Sequence, residues 1–223
     1  MKHQGFTLIE FVVIISIFAI MATVALFNFS GFRSNVALNN LSHDIALTLR
    51  QAQVFGWAGQ TVSLDASGNP TRYADGVYFK FDGASYAKEF ILYAKGGTTS
   101  SGREYYIDDP QTSDQTIDTI KIQGPNHISD IRMAVAPQDL EIDHTTGLIN
   151  SGSVPIATSV SVAFSRPRPE ALFFSDINQL DSSLHGNYMG IYIAADATCP
   201  PGVSCLKADH VIIVSRFGEI TVQ

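Results

Sequence analysis

The sequence predicts an α+β fold, a long N-terminal helix packed on an antiparallel β-sheet head, and three observations carry that expectation. An uncharged, mostly apolar run of 22 residues extends from Phe11 to Phe32. Apolar residues then recur at helical spacing as far as Gly56. From Thr61 onward, short alternating segments are separated by turns rich in Gly, Pro and Ser. A long helix laid on sheets of that kind is the α+β class.

The first run is long enough to span a membrane. Twenty-two residues rise about 33 Å at ~1.5 Å each, against a hydrocarbon core of ~30 Å. A secretory signal would have an apolar stretch of about 7–15 residues and a small-x-small cleavage site beyond it. The nearest such site, Thr23-Val24-Ala25, lies inside the run. The segment therefore reads as a retained helix. Beyond it Val36, Leu38, Leu41, Ile45, Leu49 and Ala52 form an apolar stripe, with Asn39, Asn40, Ser42, His43, Gln51 and Gln53 between them. That is an amphipathic continuation offering one face to a head domain. Gly31 makes a weaker joint between the two halves, and no proline occurs before Pro70.

Strands follow. Gly76–Phe81, Glu89–Lys95, Arg103–Asp108, Asp118–Ile122, Ser159–Phe164, Tyr188–Ile193, His210–Val214 and Gly218–Val222 are rich in Val, Ile, Phe and Tyr. Turn-forming segments at 65–70, 96–102, 145–147 and 166–169 punctuate them. The expected organisation is a leader at 1–5, a transmembrane and assembly helix at 6–32, its amphipathic continuation at 33–58, and a β-rich head at 59–223.

Ahead of the apolar run stand Gly5-Phe6-Thr7-Leu8-Ile9-Glu10. With the short basic leader before it, this segment resembles the prepilin family of type IV pilins and type II secretion pseudopilins. The resemblance implies cleavage between Gly5 and Phe6 by prepilin peptidase on the cytoplasmic side, followed by N-methylation of Phe6. It also implies that Glu10 pairs with the amino terminus of a neighbouring Phe6 when subunits pack into a filament. A carboxylate in an apolar helix is costly, so an ionisable residue there is a functional signal by default. A hydrated Glu at the headgroups is the alternative reading. Lys2, helped by His3, holds the N-terminus inside by the positive-inside preference. The stretch Leu41–Ala58, with its Leu-Arg-Gln-Ala-Gln, resembles the corresponding helix of H-type minor pseudopilins and FimT-like minor pilins.

Charge narrows the partners. The chain carries −7 overall, and residues 61–223 hold 11 cations against 19 anions. An acidic head without a basic stripe argues against nucleic acid. The two cysteines, Cys199 and Cys205, flank Pro-Pro-Gly-Val-Ser. In a reducing compartment they would be a coincidence or half a metal site, but no second Cys pair or His cluster completes a zinc set. A head outside the cytoplasm makes a disulfide between them the expectation.

Chemistry is sparse in the head. There is no Gly-x-Ser-x-Gly, no His-Glu-x-x-His and no phosphate loop, and the six histidines are scattered. No cofactor and no metal are expected. The one carboxylate cluster that would suit calcium is Asp139, Glu141 and Asp143, which a strand would place on one face. Its plainer reading is a solvated strand face before a hairpin.

The sequence thus reads as a minor pilin or pseudopilin rather than an enzyme. It would partner other pilin or pseudopilin subunits, prepilin peptidase, the inner-membrane assembly platform and membrane lipid. The rival reading is a single-pass, membrane-anchored extracytoplasmic binding protein that does not polymerise. Such an anchor has no need of Glu10 or of the Gly5-Phe6 junction.

Overall fold

The computed structural model describes residues 7–58, 61–64, 70–79, 81, 87–96, 115–143, 146, 148–149, 152–155, 160–164, 170–175, 178–179, 186–195 and 208–223. Side chains are described for all of these except 25–32, 61–64, 70–75, 95–96, 115, 155, 175 and 178–179. The chain divides into two compact units, residues 1–37 and 38–223.

One helix, α1 (Leu8–Ala58, 51 residues), precedes the strands and stays helical through Gly31. The strands are β1 (Thr61–Leu64), β2 (Pro70–Phe79), β3 (Glu89–Gly96), β4 (Gln115–Lys121), β5 (His127–Ala134), β6 (Val154–Pro155), β7 (Val160–Phe164), β8 (Ala171–Ser175), β9 (Asn178–Gln179), β10 (Tyr188–Ala194), β11 (His210–Ser215) and β12 (Ile220–Val222). They form two sheets whose pairings are all antiparallel. The larger sheet runs β4-β3-β2-β7-β8-β9 with β1 added to β2, and the smaller runs β12-β11-β10-β5-β6. The architecture is α+β.

Within the second unit the core has three contributors. Leu38, Leu41, Ile45, Leu49 and Ala52 of α1 share one buried cluster with Val77, Phe79, Phe90 and Val162 of the larger sheet and Ile131, Met189, Ile191 and Ile212 of the smaller. The helix spacings three, four, four and three keep that stripe on one side, which is why the amphipathic half is legible from sequence. Ile45 and Leu49 are fully buried.

The smaller sheet buries both faces. Ile212 and Val214 of β11 enter the main core, whereas Val211 and Ile213 enter a second cluster with Leu140, Ile142, Ile149 and Tyr192. Burial on both faces accounts for the unbroken Val-Ile-Ile-Val run of that strand.

Five strands, β1, β5, β6, β8 and β9, fall outside the segments expected from sequence, and two of them show why. In β5 (His-Ile-Ser-Asp-Ile-Arg-Met-Ala) the register against β10 slips: Tyr192 faces Asp130 but Ile193 faces Ile128, leaving Ser129 as an extra residue. That bulge breaks the period of two, so Ile128, Ile131 and Met133 reach one core although their numbering does not alternate. Its Ser129 hydroxyl donates to the Tyr192 carbonyl at 3.3 Å. The second, β8, is a short apolar run, Ala-Leu-Phe-Phe-Ser, with no flanking alternation to mark it.

Gly56 lies inside the last turn of α1, where a Cβ would stand 2.6 Å from the Phe164 carbonyl oxygen. The glycine serves close approach of α1 to β7. The strand expected at Arg103–Asp108 lies outside the described residues.

Candidate assembly site at the start of the helix

The described chain opens on Thr7, and Leu8 begins α1. The Phe11 amide donates to the Thr7 carbonyl at 3.3 Å, so Thr7 occupies the N-cap position. Its hydroxyl accepts from the Glu10 amide at 3.4 Å, and its own amide donates to Glu10 Oε2 at 2.9 Å. This reciprocal pair is a capping box, Thr-x-x-Glu, which satisfies two helix-end donors at once. A further bond runs from the Thr7 hydroxyl to the same Oε2 at 2.8 Å. Both bonds from Thr7 therefore fall on one carboxylate oxygen. The signal is present in the sequence, a Thr three residues before a Glu at the head of an apolar run, but reading Glu10 through membrane cost alone passes over it.

Past Glu10 the first unit of the chain bares its apolar side chains. Every large apolar residue from Leu8 to Val24 is at least half exposed, from Ile15 at 50% to Leu8 at 83%. The two hydroxyls in this stretch turn inward on the helix itself: Ser16 Oγ donates to the Val12 carbonyl at 2.8 Å and Thr23 Oγ1 to the Ala19 carbonyl at 2.7 Å. Such back-bonding lets Ser and Thr sit in apolar surroundings. A shallow notch of about 280 Å³ is lined by Ile9, Glu10, Val13 and Ile14. Among the described residues no helix is long and apolar enough to cross a membrane. Side chains of the uncharged run are described only from Phe11 to Val24, while in the sequence the run continues to Phe32.

Gly5, Phe6, Cys199 and Cys205 lie outside the described residues. The calcium candidates do lie within them, and their geometry is not the one expected. Residues 137–140 form a 3-10 helix, η1 (Pro137–Leu140), with Asp139 inside it and Glu141 at its C-terminal cap. Pro137 favours that turn, and Leu140 is driven down to full burial, where Gly190 leaves it room. Asp139, Glu141 and Asp143 thus do not share a strand face. Asp143 instead closes a turn, accepting from the Thr146 hydroxyl at 2.8 Å while its amide donates to the Leu148 carbonyl at 2.9 Å. Among the described residues, no three His, Cys, Asp or Glu side chains gather as metal ligands would.

The head holds a buried polar cluster that the sequence reading missed. Asp130 and Arg132, two apart on β5, pair at 2.8 Å with side chains 8% and 6% exposed. Arg132 also reaches the Ser153 hydroxyl at 3.4 Å, and Asp130 Oδ1 accepts from the Ile131 amide at 2.9 Å. Burial holds the Asp130 carboxyl above its usual range, with the Arg132 guanidinium opposing. Tyr192, facing Asp130 across the sheet, donates to the Leu140 carbonyl at 2.8 Å, and burial pushes its phenol well up. The cluster ties η1 to β10 through Tyr192, and Ser153, just ahead of β6, to β5 through Arg132. Ahead of the same strand, Lys88 donates to the Gly124 and Asn126 carbonyls at 2.9 and 2.8 Å, closing the β4–β5 turn. Desolvation lowers its ammonium pKa.

The helix thus opens on a capped carboxylate and then bares an apolar flank. Residues 1–26 match the family model described as the prokaryotic N-terminal methylation motif, and in that segment the chain is similar to prepilin-type proteins. No curated protein and no solved structure matches the chain.

Proposed function

We propose that this chain is a minor pilin or pseudopilin subunit, built into a type IV pilus-like or type II secretion filament through α1. The observation that carries the reading is Glu10, an acid at the head of an apolar helix, inside a segment matched by the methylation motif. Prepilin peptidase cleaves between Gly5 and Phe6 and methylates the new amine of Phe6. The run Phe11–Phe32 holds the subunit in the inner membrane, N-terminus inside, with the head of residues 59–223 outside. The inner-membrane assembly platform then extracts it from lipid. Within the filament, Glu10 faces the methylated amine of an adjacent subunit.

The exposed apolar side chains between Leu8 and Val24 support this reading, since lipid or neighbouring helices would cover them. The acidic head, without a basic stripe, argues against nucleic acid as its partner. The size of the head and the likeness of Leu41–Ala58 to H-type pseudopilins and FimT-like pilins favour a minor subunit.

Two measurements test the proposal. Intact mass of membrane-expressed protein, with prepilin peptidase present, should show loss of residues 1–5 and gain of one methyl. Glu10→Val should be exported and cleaved normally yet enter sheared filaments poorly, and Glu10→Lys should do worse. Retention of Met1 would overturn the processing, and wild-type incorporation of Glu10→Val would overturn the assembly role.

A further inference from the structure

Where α1 packs in the head, two stripes run along opposite sides of the helix. Leu38, Leu41, Ile45, Leu49 and Ala52 are buried in the core. His43, Leu47, Arg50 and Val54, spaced four, three and four apart, form the other stripe and are all exposed. Leu47 lies about 200° around the helix from Leu49 at 3.6 residues per turn. Leu47 and Val54 are 63% and 57% exposed, so this outer face bares large apolar side chains. Between it and β12 runs a groove of about 410 Å³, lined by His43, Leu47 and Arg50 on the helix and Ile220 and Val222 on the strand. The lining includes two basic side chains and no carboxylate; Asp44 is exposed nearby on the helix but does not line it. Arg50 uses one N–H to cover the Ile220 carbonyl at 3.1 Å, and a guanidinium has five. An incoming chain therefore meets apolar side chains and remaining donors there.

The opposite end of the smaller sheet carries the complement. The order β12-β11-β10-β5-β6 puts β6 four strand spacings from β12, roughly 19 Å. Residues 135–154 at that end contain Asp139, Glu141 and Asp143 and no Lys or Arg. Val135 is 73% exposed there, and Leu148 and Val154 are exposed with it. Val154 pairs with Met133, two residues before Val135. A Cβ on Gly152 would stand 3.1 Å from Asp139 Oδ1, so that carboxylate lies beside the approach to β6. Acids and bare apolar side chains share one corner of the head.

We propose that the groove between α1 and β12 receives the 135–154 corner of a second copy of this chain. The two surfaces stand at opposite ends of one sheet, so they meet between heads and not within one. Leu47 and Val54 would pack on Val135 and Val154 at the centre of the contact. Arg50 and His43 would face Glu141 and Asp139 at its rim, where charge pairs fix register and exclude wrong partners. A contact between two different patches is heterologous, and its repetition gives an open row of heads unless the rotation closes a ring. The inference goes beyond assembly through Glu10, because it assigns a contact to the heads themselves.

The experiment is photocrosslinking of full-length protein with Val54 exchanged for benzoylphenylalanine, read both in membranes and in sheared filaments. Protease resistance of the head is the control for folding. Adducts between two copies should form, and mass spectrometry should map them to residues 135–154 of the second copy. Leu47→Glu places an acid opposite acids and should lower the yield several-fold, whereas Leu47→Lys should keep it. In a Glu141→Lys background that order should reverse. Adducts elsewhere on the second copy, adducts to a different protein, or no adduct between copies would each overturn the proposal. Equal effects of Leu47→Glu and Leu47→Lys, with or without Glu141→Lys, would overturn the charge pairing and with it the choice of partner. Normal entry into filaments without the adduct would overturn the head contact and leave the proposed function standing. The mapped adduct in membranes of a chain that never enters filaments would support the contact and count against the filament role.

Discussion

Arg50 and Ile220, 170 residues apart, are joined by a hydrogen bond from the Arg50 Nη2 to the Ile220 carbonyl at 3.1 Å. Ile220 belongs to β12, an end strand of the smaller sheet. One turn along the helix, Gln53 Nε2 donates to the Gly218 carbonyl at 2.9 Å, in the turn that enters β12. Helix α1 thus closes a sheet edge that would otherwise present open acceptors to another chain.

Removing that closure has a measurable cost. Arg50→Met keeps the stem and loses the donor, so the head should lose about 1 kcal/mol, or roughly 2–4 °C in melting temperature for a domain of this size. Amide exchange at Ile220 and Val222 should quicken in the same variant. Unchanged exchange there would mean that Arg50 adds nothing to the edge.

Gly56→Ala separates helix propensity from packing. In an open helix the change would stabilise by about 1 kcal/mol. Here the new methyl would meet the Phe164 carbonyl oxygen at 2.6 Å and its Cβ at 3.2 Å. Backbone atoms on β7 cannot step aside as a flexible side chain can, so net destabilisation of about 1–3 kcal/mol is expected. A rise in thermal stability would show that α1 can shift away from β7 at no cost.

Asp130 gives a pH dependence of definite sign. Its folded pKa is raised above the model-compound value of 3.8 by burial. Between 3.8 and the raised folded value the folded state binds the proton more tightly than the unfolded chain, so this group adds stability as pH falls through that window. Asp130→Asn removes the titration while keeping an acceptor for the Ile131 amide. The melting temperature of the wild type minus that of the variant should therefore rise as pH is lowered from 7 toward 4. A difference that falls instead would mean that Arg132 outweighs burial and holds the carboxylate ionised.

For Cys199 and Cys205, alkylation of the exported head without reductant should find no free thiol. Five residues separate the cysteines, and so short a loop gives nearer 2 than 4 kcal/mol in the loop-entropy account. Two alkylated thiols would count against both the disulfide and the outward placement of the head.

The sequence by itself determined the long helix, the amphipathic stripe from Leu38 to Ala52 and most of the alternating strands, because each depends on a local period that neighbouring residues display. It also carried the N-terminal segment that matches the methylation motif, with Glu10 inside it, because a motif is a run of consecutive residues. Tertiary structure alone decided what depends on distant partners. The bulge at Ser129 hides β5 from any count of two, and burial of Leu140 against Gly190 turns Asp139 away from the face it would share with Glu141 and Asp143 on a strand. The contact of Gly56 with β7 is likewise tertiary, since nothing within one helical turn announces the carbonyl of Phe164. Periodicity reports which side of an element is apolar; only packing reports which atoms stand opposite it.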